Sequence, residues 1–224
     1  MKETNNEVNN NSLSDIFTKT EDFFERNNKK LLWVVACIVV VVVAVYAVRH
    51  FYSNPRRVTA AEELFVAQNR FDNSEFDLAL NGDETTLGFL DIIDQYGSTP
   101  SGNLARYYAA ICQLNLGQYA EALDNLDHYK GRDLYTAAEA EMLRGDAEAE
   151  LENYEAALKR YQKAAKIHAN IVTTPMATYK AALILVDMGR SDEARTSLQA
   201  VRTKYPNSPL SADIDKLIGY TEGK

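Results

Sequence analysis

The spacing of apolar residues changes character along this chain. Met1 to Asn11 is polar and rich in Asn, with nothing to bury. Leu13, Ile16, Phe17 and Phe24 then recur at helical spacing, with Phe23 beside them. That pattern fits either an amphipathic helix on a membrane face or a membrane partner, or an extension of the helix that follows. Leu31 to Val48 is 18 residues without a charge. At ~1.5 Å per residue this run reaches roughly 27 Å, close to the hydrocarbon thickness of a bilayer. Trp33 at one end, and Tyr46, Phe51 and Tyr52 at the other, stand where interfacial aromatics belong. Val45-Tyr46-Ala47 could serve as a signal-peptidase site, but the run is long for a signal peptide and follows 30 polar residues, so a retained anchor is expected.

From residue 59 onward the apolar positions return at intervals of three and four, the period of half-buried helices. Thr59 and Glu62 form a capping-box pattern ahead of AAEELFVAQNRF. A second helix is expected from Thr85 to Gly97. The segment between, Asp72 to Glu84, is long for a helix-pair turn and reads as an insertion, either a binding loop or a packed connection. Thr99-Pro100, Thr174-Pro175 and Ser208-Pro209 each place a hydroxyl before a proline suited to a first helical turn.

Three later stretches align with one another. Leu116-Gly117-Gln118-Tyr119 precedes Ala122, Leu151-Glu152-Asn153-Tyr154 precedes Ala157, and Met188-Gly189-Arg190-Ser191 precedes Ala194, at spacings of 35 and 37 residues. Gly117 and Gly189 supply a left-handed turn after a first helix. Ala122, Ala157 and Ala194 let the second helix come close, and Leu126, Tyr161 and Leu198 fill the seam four residues on. Ala110, Gly145 and Ala182 hold the small position of each first helix. Together with Pro206 after the last second helix, these residues resemble the tetratricopeptide-repeat (TPR) family over roughly Asn103 to Pro206. Glu141 and Glu148 depart from it, standing where large apolar residues are usual, and Ser191 replaces the turn tyrosine.

The expected fold is therefore all-α, a TPR-like α-solenoid of antiparallel helix pairs preceded by one transmembrane helix. Its organisation reads as a tail (1–30) with a short amphipathic helix, a transmembrane helix (31–48), a linker (49–58) and a TPR-like domain (59–222). Within that domain fall a divergent first repeat (59–98), repeats at 103–136, 138–171 and 175–208, and a capping helix (209–221).

Charge and chemistry narrow the function. Residues 51–224 carry 18 Lys/Arg against 26 Asp/Glu, which disfavours nucleic acid as a partner. Cys37 lies in the apolar run and Cys112 in the repeats, so no disulfide framework is expected and each reads as a small hydrophobe. His50, His128 and His168 lack a second ligand at metal spacing, and there is no phosphate-binding loop or nucleophile elbow. No enzymatic activity, cofactor, metal or small-molecule substrate is expected.

In a TPR stack the first helices line a concave groove. The resemblance puts Tyr107, Ile111 and Leu114, then Met142, Asp146 and Glu150, then Tyr179, Leu183 and Asp187 on that surface as partner-binding residues, with Leu104 and Met176 beside them. Aromatic, aliphatic and acidic groups together suit protein segments with apolar and basic side chains. The groove is expected to lack the Lys/Arg and Asn set with which some TPR proteins clamp a terminal carboxylate.

Tail, single anchor and acidic repeats also resemble the ancillary SecYEG translocon subunit (YfgM-type) family. FDLALNGD from Phe76, GFLDIIDQYG from Gly88 and the repeat core carry that resemblance, from about Lys29 to Ile218. It implies a bacterial inner-membrane protein with its N-terminus in the cytoplasm and its TPR domain in the periplasm. The slight excess of Lys19, Arg26, Lys29 and Lys30 over Arg49, Arg56 and Arg57 leans the same way. The implied partners are translocon subunits, exported chains or periplasmic chaperones. The alternative is a structural subunit of another envelope complex, assembled through its transmembrane and tail helices.

Overall fold

A computed structural model describes residues 29–30, 32–131 and 133–223. The amphipathic tail segment expected around Leu13 to Phe24 lies outside the described residues.

The chain forms two units, divided after Pro55. In the first, α1 (32–47) begins the one described helix long and apolar enough to cross a membrane, which runs on from Leu32 to Asp72. Its apolar stretch is 0% buried, whereas the core helix of a soluble protein would be mostly covered. Val34, Val40, Val43 and Trp33 are all more than half exposed. The expected linker, 49–58, is helical instead: a π-helical stretch, Val48–Ser53, leads into α2 (Asn54–Asp72). The Asn54 N–H bonds to the Arg49 carbonyl five residues back. Such a wide turn accommodates Pro55, which has no N–H to give an ordinary helical ladder. Thr59 consequently lies inside a helix and not at its N-terminus.

In the second unit α2 is followed by α3 (Phe76–Asn81), α4 (Phe89–Tyr96), α5 (Pro100–Asn115), α6 (Tyr119–His128), α7 (Leu134–Glu150), α8 (Tyr154–Ile167), α9 (Thr173–Asp187), α10 (Ser191–Lys204) and α11 (Ser211–Glu222). From α4 on, each helix packs on the next, and the first helices of successive pairs, α5, α7 and α9, also touch. That neighbour pattern is a solenoid of helix pairs. The described residues contain no strand, only an isolated bridge between Gly82 and Leu87.

The three intra-pair turns share one hydrogen-bond design. Gln118 N–H reaches the Gln113 carbonyl at 2.8 Å, Asn153 N–H the Glu148 carbonyl at 2.8 Å, and Arg190 N–H the Leu185 carbonyl at 2.7 Å. Each 6→1 closure needs one residue in the left-handed region. Gly117 (φ 73°) and Gly189 (φ 74°) adopt it freely, and Glu152 (φ 61°) adopts it with a side chain.

Small residues set how closely the helices approach. A Cβ on Gly145 would lie 2.5 Å from the ring of Tyr161, so this glycine is what lets the tyrosine lie flat across α7. Ala110, Ala122, Ala157, Ala182 and Ala194 are fully buried. The core runs as three clusters: Leu80, Phe89, Ile92 and Cys112 near the start, Tyr107, Leu126 and Tyr129 in the middle, and Leu158, Leu185, Leu198 and Ile214 near the end. Leu104 and Tyr108 pack against both of the first two.

The Asp72–Glu84 insertion is a packed connection. It contains α3, whose Ala79 and Leu80 are buried. Phe76 meets Phe71, and Phe71 in turn meets Phe89 and Tyr108 edge-on. Asp83 closes its end by accepting from the Thr85 and Thr86 N–H groups and from Arg70. These donors hold the Asp83 carboxyl well below the usual carboxylate range.

Two caps differ from the sequence expectation. Thr99 does cap α5, accepting from Gly102 N–H at 3.0 Å. At α9 the cap is Asn170, whose Oδ1 accepts from Val172 and Thr173 N–H, while the Thr174 hydroxyl donates to the Ala165 carbonyl. The last helix opens at Ser211, two residues after Pro209. Arg202 then ties it back to α10 through a two-pronged pair with Asp215.

Candidate partner-binding groove

Between the first helices α5, α7 and α9 lies a cavity of about 380 Å³. Ile111 and Leu114 enter from α5, Asp146 and Glu150 from α7, and all four were expected in the groove from sequence. Asn115, Tyr119, Leu143, Ala149, Tyr161 and Lys180 complete the lining.

Polar geometry at the cavity centres on Asp146. It accepts from the Tyr161 hydroxyl at 2.7 Å and from Lys180 Nζ at 2.6 Å, joining α7, α8 and α9 at one carboxylate. Burial raises the Tyr161 phenol above its ordinary range, and the Asp146 carboxylate raises it further. The Tyr119 phenol is raised by its hydrogen bond to Glu150 and by the charge of that carboxylate. Both tyrosines therefore remain donors at neutral pH. Glu150 itself is exposed, so the cavity keeps an accessible acidic edge beside the apolar Ile111, Leu114 and Leu143.

The other expected groove residues take varied places. Tyr107 is buried, 7% exposed, and packs on Tyr108 and Tyr129. Met142 and Tyr179 are half-buried against the C-terminal core cluster. Leu183 and Asp187 are exposed near the end of α9. Leu104 packs between two core clusters, and Met176 is half-buried.

Lys180 and Asn115 are the basic residue and the Asn of this lining. Neither makes a carboxylate clamp, since Lys180 is paired with Asp146 and Asn115 donates to the Ile111 carbonyl at 2.8 Å. Lys180 carries no repeat signal and was invisible to phasing. Tyr161 was legible as a seam filler, but its hydroxyl's reach into the groove depends on the bare backbone of Gly145. Cys112 is fully buried, and burial pushes its thiol up to about 12, so it stays uncharged.

Stacked helix pairs joined by repeated left-handed turns, with a concave cavity along their first helices, define a TPR-like helical-repeat domain. Residues 78–214 match the family model described as T7SS, ESX-1 secretion system protein EccA1, N-terminal domain. The match covers more than half of the chain, and the chain belongs to that family. No curated protein matches the chain.

Proposed function

We propose that this chain is a membrane-anchored scaffold that holds segments of other proteins in its groove and acts by binding, not catalysis. The cavity between α5, α7 and α9 carries the reading. It offers three aliphatic side chains and an open carboxylate edge at Glu150, a surface suited to an extended or amphipathic segment that pairs apolar with basic groups. The matched family is described by a secretion-system protein, which supports a setting in protein secretion. The apolar, uncovered α1 supports a single anchor in the bacterial inner membrane. With the N-terminus cytoplasmic, the repeat domain lies in the periplasm. The finer placement, beside the Sec translocon with exported chains or periplasmic chaperones, rests on the sequence resemblance.

A photo-crosslinker at Ile111 or Glu150, in cells, is expected to capture secretion components or exported polypeptides. A crosslinker at Asp77 on α3 serves as the control. Recovery of neither class of partner from the groove positions would count against the scaffold. Replacing residues 1–48 with an unrelated anchor separates it from a structural subunit assembled through its transmembrane and tail helices. Function retained favours the groove, and function lost favours that second reading.

A further inference from the structure

The two ends of the helical stack are finished differently. At the C-terminal end, α11 turns Asp215, Lys216 and Glu222 to solvent, as a capping helix should. At the N-terminal end, α2 buries Ala60, Leu64 and Ala67 on one side. Its other side lines a shallow hollow with Arg57, Val58, Ala61, Glu62, Phe65 and Val66. Val58 is 59% exposed and Phe65 69%, an unusual loss for a helix that already has a buried face.

The spacing on this outer face identifies what fits it. Val58, Ala61 and Phe65 stand at i, i+3 and i+7, the seam positions of a two-stranded coiled coil, with a β-branched residue at the first of them. Arg57 and Glu62 flank the seam and lie five residues apart. In a parallel, in-register pair that is the separation at which flanking residues of opposite helices meet. Two Arg57–Glu62 pairs would then form, one on each side. An antiparallel pair would instead set Arg57 near Arg57 and Glu62 near Glu62. Among the described residues Arg57 and Glu62 have no ion-pair partner.

We propose that the outer face of α2 is a self-association seam, on which a second copy of the chain lays its own α2 in parallel and in register. Copies sharing one membrane orientation would meet in this direction, a point that leans on the anchor proposed above. The charge pattern reaches the same direction without it.

The test uses the full chain in native membranes, with Cys37→Ala to remove the exposed cysteine and Cys112 left in place because it is buried. Ala61→Cys is expected to give an oxidised homodimer on non-reducing electrophoresis, and Asp77→Cys none. In detergent, Arg57→Glu should lower the dimer fraction about five- to ten-fold, since two exposed pairs become repulsive. Adding Glu62→Arg should restore it, and restoration also shows that the variant folds. The proposal is overturned if Ala61→Cys yields no homodimer, if it links instead to another protein, or if the charge swap fails to rescue. Groove capture of partners is read separately and can succeed while this fails.

Discussion

The seam around α6, α7 and α8 and the seam around α9, α10 and α11 are built on the same repeat but filled with opposite chemistry. In the later one, Ala181, Leu185, Leu198, Val201 and Ile214 close an apolar core. In the middle one, the residue before Gly145 is Arg144, where the corresponding residue before Ala182 is Ala181. Arg144 is buried and bonds to Glu141 at 3.0 Å, to Asp127 at 3.0 Å and to the Leu126 carbonyl. Glu141, also buried, accepts in addition from Lys163 at 2.9 Å and lies 3.5 Å from Arg160. A carboxylate that looked misplaced in an apolar position thus anchors a five-residue charge network. Repeat geometry is set by the turn and the small residues, and tolerates either filling so long as every buried charge is answered.

Substitutions can break this comparison, and urea unfolding of the detergent-solubilised chain measures each. The largest effect is expected from Leu198→Ala, which empties a fully buried site and should cost about 3–4 kcal/mol with little dependence on salt. Arg144→Ala comes next at about 2–3 kcal/mol, because Glu141 keeps Lys163 but loses its closest buried partner. A negligible change there would show that the network is decorative.

The turns give a smaller, sharper contrast. Gly189→Ala should cost about 1 kcal/mol, since its added Cβ meets nothing within 4 Å and only the left-handed backbone resists it. Glu152→Gly should stabilise by about 0.5–1 kcal/mol, relieving the same conformation in the middle repeat. Opposite signs are the expectation, and equal signs would refute the shared turn design.

Replacing the charges together is a different operation from breaking them. Glu141→Leu with Arg144→Met should leave stability within about 1 kcal/mol of the parent, because no buried charge is orphaned. The smallest effect concerns pH. Asp133 caps α7 by accepting from Tyr135 and Thr136 N–H, and these bonds lower its carboxyl below the ordinary 3.8. Its ionised form favours folding above about pH 4, and that gain disappears as the pH falls through the lowered value. Asp133→Asn should flatten this part of the acid limb, which a pH series of unfolding midpoints would reveal.

Reading along the chain identified the all-α repeat fold because its signals are local. A left-handed residue ends a helix, a small residue admits a neighbour, and an uncharged apolar run suits lipid. Four groove residues, Ile111, Leu114, Asp146 and Glu150, were also legible, since repeat phase carries them to one surface. Tyr107 shows where phase stops being enough. It occupies a groove register yet is covered by Tyr108 and Tyr129, because a tyrosine that can bury its ring will do so.

Sequence by itself determined the helix pairs, their turns and the apolar helix ahead of them, each a property of residues within a few turns of one another. Tertiary structure alone decided that Lys180 meets Asp146, that Glu141 has cationic neighbours and that the Asp72–Glu84 insertion packs as a short helix. Those outcomes depend on side chains brought together across 13 to 34 positions of sequence. Only stacking sets such distances, and only at those distances do burial and charge choose a partner.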